Sequence, residues 1–162
     1  PTAWGFTLTY AGPFRVVADG PRPHGWLVRL SIGSASGSAG KADGITIAAL
    51  RQTGRHRLTG HDLVLRAPAL TSSFVAAARR AGGPPVLLVQ PYQQDDLNST
   101  AIRLIYQRYD PVRHGLIRYD RHLTIGHGIL YSVEISGDQA FWKRFGPQAQ
   151  ETVGTLVLFQ PQ

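Results

Sequence analysis

Apolar and polar residues alternate along residues 6–10 (F-T-L-T-Y), the pattern of a strand with one buried face. Ala11, Gly12 and Pro13 mark a turn, and 14–18 continues as a second strand, so the pattern predicts an N-terminal hairpin. Residues 19–25, with Pro21, Pro23 and two glycines, read as a loop, and 26–33 (W-L-V-R-L-S-I-G) as the next strand. The stretch 33–44 is built from Gly, Ser, Ala, Lys and Asp. It is expected to be a flexible internal loop, because neither flank alone holds enough residues for a core. Residues 45–51 begin β-branched and end helix-forming, which leaves strand and helix both open. Residues 61–67 read as a strand. Residues 71–81 read as a helix capped by Thr71 or Ser72 and stopped by Gly82-Gly83-Pro84, with a strand at 86–90 beyond it.

The second half has a plainer rhythm. Residues 100–109, 115–125 and 129–136 are three strands joined by short turns, an antiparallel meander. Period two puts Ile102, Leu104 and Tyr106 on one face with Tyr119, Leu123 and Ile125. It is read here as continuing to Ile129, Tyr131, Val133 and Ile135 on that same face. Arg103, Gln107, Arg118, Asp120, His122, Ser132 and Glu134 then form the polar face. Asp138 caps a helix whose buried stripe is Phe141, Trp142 and Phe145. Gly146-Pro147 is expected to break it, with a further helical turn or two through 153 and a final strand at 155–159. A sheet with one apolar face needs helices over that face. The expected fold class is therefore α+β: a central, mostly antiparallel twisted sheet flanked by helices near 71–81 and 138–153, in one domain spanning 1–162.

Composition agrees with a folded domain. Of 162 residues 43% are apolar and 17% charged, enough apolar content for a core and too little charge for disorder. The absence of Cys excludes disulfides, thiolate metal sites and a Cys nucleophile. No Met is present and the chain opens on Pro1. The expectation is that a signal peptide or another upstream segment has been removed, and that the protein is periplasmic or secreted. No apolar run reaches the roughly 18 residues that a membrane-spanning helix needs. The net charge of +7 comes from Lys plus Arg 17 against Asp plus Glu 10, but the cations are scattered, with no block of five. Their plainer reading is a solvated surface that reflects an Arg-rich composition.

Residues 5–10 (G-F-T-L-T-Y, followed by Pro13 and Phe14) and the block 102–159, ending in the aromatic helix with Phe141, Trp142 and Phe145 and the stretch 152–159, resemble the PsbP/Mog/DcrB-like family of α/β/α sandwiches. By topology the resemblance covers the whole chain, by sequence these two ends; the middle, 33–66, departs from the family pattern. The resemblance implies a mostly non-enzymatic domain: an accessory subunit docking on a larger assembly, an envelope lipoprotein, a small-GTPase regulator or an effector chaperone. No catalytic residues define the family, so none carry over.

The search for chemistry agrees. Residues 33–37 (G-S-A-S-G) put Ala where a nucleophile elbow needs Ser, and Gly126-His127-Gly128 lacks the third glycine and the following helix of a dinucleotide loop. The six histidines show no H-x-x-x-H spacing. His122 and His127 flank one turn and are the only pair offered for a ligand or an enzymatic role. Asp95-Asp96 reads as a solvated loop pair, and Asn98-Ser99-Thr100 as a chance glycosylation match. Tyr106 and Tyr119 interleave with Arg108, Arg113, Arg118 and Arg121 as in nucleic-acid binders, but alternation puts the tyrosines on the buried face, where they read as the rim of a core.

The leading expectation is a non-catalytic, exported bacterial accessory protein that needs no cofactor and holds no metal. It would bind another protein or a multi-subunit envelope complex through the loop 33–44 or a polar sheet face formed by Arg103, Arg108, Arg118, Asp120, Arg121, His122 and Glu134. Peripheral membrane association stays open. The alternatives are an Arg-rich module for nucleic acid or anionic lipid, with nucleic acid the less favoured, and an enzyme or small-ligand binder using His122 and His127.

Overall fold

The computed structural model describes residues 2–10, 12–32, 43–53, 57–80, 87–96, 99–110 and 114–161. Seven strands form one antiparallel sheet: β2 (Phe14–Arg22), β3 (Gly25–Ile32), β4 (Gly44–Arg51), β5 (Leu87–Asp96), β6 (Ser99–Asp110), β7 (Gly115–Gly126) and β8 (Ile129–Gly137). Their order across the sheet is β2-β3-β4-β8-β7-β6-β5. The helices are α1 (Gly60–Leu65) and α2 (Ala67–Arg80), which bridge β4 to β5, and α3 (Gln139–Gly154) after β8. The expected α+β class and the 100–136 meander are present.

The N-terminus departs from the predicted hairpin. β1 (Phe6–Thr7) pairs with β9 (Val157–Leu158) at the chain's other end, while β2 takes β3 as its partner. Gly5 adopts φ +67 and lies against the Phe159 carbonyl and the Tyr131 hydroxyl, leaving no room for a Cβ. Part of the predicted loop 19–25 is strand, since β2 runs through Pro21 to Arg22. An edge strand tolerates proline because one row of its N–H groups needs no partner. The ambiguous 45–51 is strand, held centrally between β3 and β8.

The predicted strand at 61–67 is helix instead. Thr59 accepts from the Asp62 N–H at 3.2 Å while Asp62 accepts from the Thr59 N–H at 2.8 Å, a reciprocal capping box that starts α1. α2 opens earlier than expected, with Pro68 in its first turn, where a missing N–H costs nothing. Asp95 and Asp96, expected in a loop, lie in β5, which carries a register shift between Val89 and Tyr92 around Pro91. α3 does not break at Pro147. Phe141 lies before the proline and Ala149 and Val153 after it, and burial of all three in one core keeps the helix continuous despite one lost hydrogen bond. Residues 33–42 of the expected loop lie outside the described residues, and its last residue, Gly44, already belongs to β4.

Two cores lie on opposite sides of the one sheet. On the first face, Val28, Leu30, Ile45, Ile47, Tyr131, Val133 and Ile135 pack under Phe141, Ala149 and Val153 of α3. On the second face, Ile102, Leu104, Tyr106, Ile117, Tyr119 and Ile125 pack under Leu63 of α1. The apolar side therefore changes face between β8 and β7. This overturns the reading that put Ile129, Tyr131, Val133 and Ile135 beside Ile102 and Leu104. The two-residue turn His127-Gly128 pairs Thr124 with Tyr131 and Ile125 with Leu130, so the odd-numbered residues of β8 share a face with the even-numbered residues of β7.

Candidate functional site

The seven residues expected on one polar face fall into two groups on opposite faces. Register places Arg103 opposite His122, and Asp120 two positions along β7, all on the first face with Arg118. Arg121 lies opposite Glu134 on the second face, with Arg108 and the two tyrosines. Ser132 also moves to the second face.

On the first face Asp120 is fully buried. Arg103 donates from Nε to Asp120 Oδ1 at 2.7 Å and from its terminal nitrogen to Oδ2 at 2.5 Å, and His122 Nε2 lies 3.3 Å from Oδ1. Burial alone would raise the Asp120 carboxyl. The hydrogen bonds from Arg103 and His122 overcome it and hold the group well below the usual carboxylate range. Such an aspartate, already neutralised by a bidentate guanidinium, is a weak base and a weak activator for His122. Arg118 sits under α3, its guanidinium 4.7 Å from the centre of the Trp142 ring, while the Trp142 indole donates to the Arg118 carbonyl at 3.2 Å.

On the second face Tyr106 and Tyr119 stack in parallel with ring centres 4.7 Å apart, and Arg108 lies 5.4 Å above the Tyr119 ring. Arg121 donates through Nε and a terminal nitrogen to one oxygen of Glu134, which also accepts from the Tyr106 hydroxyl at 3.2 Å. Burial, then the Glu134 charge, pushes the Tyr106 phenol far above its ordinary value, and burial raises Tyr119 against the pull of Arg108. Burial works against the Arg121 cation, and Glu134 more than offsets it. The expectation of tyrosines at a core rim understates this arrangement: the stack ties the second core to an ion pair at its border.

Beyond Arg121 and Glu134 the second face continues over β8, β4 and β3 as Ser132, Ala48, Thr46, Leu27 and Arg29, all half-buried. Among the described residues no helix packs there. α1 lies over β6 and β7, and α3 is on the reverse side.

The histidines divide by geometry. His24, His114 and His127 have φ of 61, 50 and 50, left-handed turn positions in which His is enriched. His122 is buried in mid-strand, about 17 Å along the chain from His127 at strand spacing, so the proposed His pair does not form one site. Among the described residues no three potential metal ligands come together. Among the described residues no helix is long and apolar enough to cross a membrane.

No family model matches the chain, and no curated protein matches it by sequence. Its shape, however, is shared by solved structures. The solution structure of cyanobacterial PsbP (CyanoP) from Synechocystis sp. PCC 6803 superposes with a TM-score of 0.65 at 15% identity, over 98% of this chain and 89% of that one. The crystal structure of LpqN, involved in cell envelope biogenesis of Mycobacterium tuberculosis, superposes with a TM-score of 0.56 at 11% identity, over 95% and 83%.

Proposed function

We propose that this chain, which has the PsbP-like fold, is a non-catalytic accessory protein held outside the cytoplasm of a bacterial cell, where it docks on another protein or a multi-subunit envelope complex. The observation that carries this reading is the half of the second face over which no described helix packs. Thr46, Ala48, Ser132 and Glu134 lie side by side on neighbouring strands with no helix over them among the described residues. A sheet surface of mixed polarity, bordered by the Arg121–Glu134 ion pair, can receive a partner without leaving either of those two charges buried alone. Of the seven residues expected to bind, Arg121 and Glu134 border this surface directly and Arg108 lies farther along the same face. Arg103, Arg118, Asp120 and His122 lie on the opposite face, on β6 and β7. The envelope role stated for LpqN agrees with this setting.

The alternative of an anionic-lipid or nucleic-acid module draws less support. Arg103 is engaged by Asp120, Arg121 by Glu134, Arg108 by Tyr119 and Arg118 by Trp142, while Arg113 lies outside the described residues. The test is affinity purification from native envelopes with wild type, Ser132→Arg and Ala48→Arg. One stoichiometric partner should be recovered with wild type and lost with both variants at unchanged melting temperature. Recovery of a bare monomer, or of the partner with all three proteins, overturns the reading.

A further inference from the structure

At the far end of the first face, away from the proposed docking surface and independent of it, lies an open cleft of about 340 Å³ whose lining includes Trp4, Pro21, Arg22, His24, Trp26 and Arg51. Its walls are made by three separate parts of the chain. Trp4 comes from the single helical turn before β1. Pro21 and Trp26 are cross-strand partners at the β2–β3 hairpin, and Arg51 ends β4. The hairpin end is tied down by the Arg51 N–H donating to the His24 carbonyl at 3.1 Å, and Gly25 passes so close to the Ala49 carbonyl that no Cβ fits. Trp26 is oriented by its indole N–H, which donates to Asp19 at 2.5 Å and so leaves the ring as an apolar wall. The Arg51 guanidinium lies 5.1 Å from the centre of the Trp4 ring.

Two indoles and a proline supply flat apolar surface, and the Arg51 guanidinium supplies positive charge beside Arg22, whose guanidinium donates to the Pro21 carbonyl at 3.3 Å; among the described residues no carboxylate lines the cleft. Asp19, the nearby acid, is occupied by Trp26. We propose that this cleft binds a small organic anion that carries a ring. The ring would lie against Trp4 and Trp26, and a carboxylate or phosphate would be engaged by Arg51 and Arg22. The volume is at the small end for ligand sites and fits one ring with its anionic group better than a dinucleotide.

Phenyl phosphate is the probe, with benzoate as the carboxylate arm. Benzyl alcohol supplies the ring without the charge, and inorganic phosphate the charge without the ring. Two-dimensional NMR of the three indole N–H groups gives the readout. Phenyl phosphate or benzoate should shift Trp4 and Trp26 saturably, with a dissociation constant on the order of 1 mM or below, and leave Trp142 in place. The half-ligands should bind at least about tenfold more weakly, and Arg51→Ala and Arg22→Ala should each weaken the ring-bearing anion by a similar factor. Absence of a saturable shift with both ring-bearing anions, equal binding of inorganic phosphate, or indifference to both substitutions overturns the proposal. Circular dichroism of each variant shows that its fold is intact before binding is scored.

Discussion

Arg103 grips Asp120 with both ends of its guanidinium, at 2.7 and 2.5 Å, and the carboxylate it holds has no exposure to solvent. Removing one member of such a pair strands a buried charge, whereas removing both does not. Arg103→Met should therefore cost about 3 kcal/mol in urea denaturation, and the double change Arg103→Met with Asp120→Leu clearly less. Equal losses for single and double variants would show that the pair contributes only packing.

The same pair sets an acid limit. The folded-state pKa of Asp120 is depressed below its ordinary 3.8. Its contribution is thus present above about pH 4 and lost as pH falls below it. The denaturation midpoint of wild type should drop between about pH 5 and pH 2 more steeply than that of the double variant. Parallel curves would remove Asp120 from the account.

At high pH the tyrosines set the limit. Tyr106, Tyr119 and Tyr131 all have raised folded values, Tyr131 pushed up to about 12 by burial. A phenol raised in the folded state stabilises it below the unfolded value near 10 and loses that contribution as pH climbs further. Absorbance at the tyrosinate band should therefore rise in a late step that coincides with loss of the circular dichroism signal. A smooth rise with the fold intact would contradict the burial of the Tyr106–Tyr119 stack.

Gly137 ends β8 directly beneath Phe141, and a Cβ there would run into the Phe141 ring. Gly137→Ala should cost about 1–3 kcal/mol, and adding Phe141→Leu should recover part of it. Thr59→Ala, which removes the capping box of α1, should cost about 1 kcal/mol. Chemical denaturation measures both.

The sequence carries the meander because its strands are long and strictly alternating, and it carries the α3 start because Asp138 is a clear cap. The swap of faces at β8 was also readable. A turn of only His127 and Gly128 fixes which parities meet, and following apolar residues across the turn in place of counting pairs misplaced Tyr131, Glu134 and Ser132. Likewise Thr59 followed by Asp62 three residues on marks a helix start, but the run L-V-L looks like strand in isolation. Pro147 misleads in the other direction, since only the tertiary core shows what holds the helix together across it. The cleft of Trp4, Trp26 and Arg51 had no local signal, because it assembles residues nearly fifty positions apart.

Strands β4 and β8 show their even and odd residues to different faces: Ile47 and Val133 to the core beneath α3, Thr46, Ala48, Ser132 and Glu134 to the half-buried second face. The proposed docking surface would thus be the reverse side of a close-packed layer, its contour set by side chains that a partner on that face would not touch. Exchanging Ile47 or Val133 for a residue of different volume changes the pleat from behind. Under the proposed docking, partner affinity is therefore sensitive to positions that a survey of surface residues would never include.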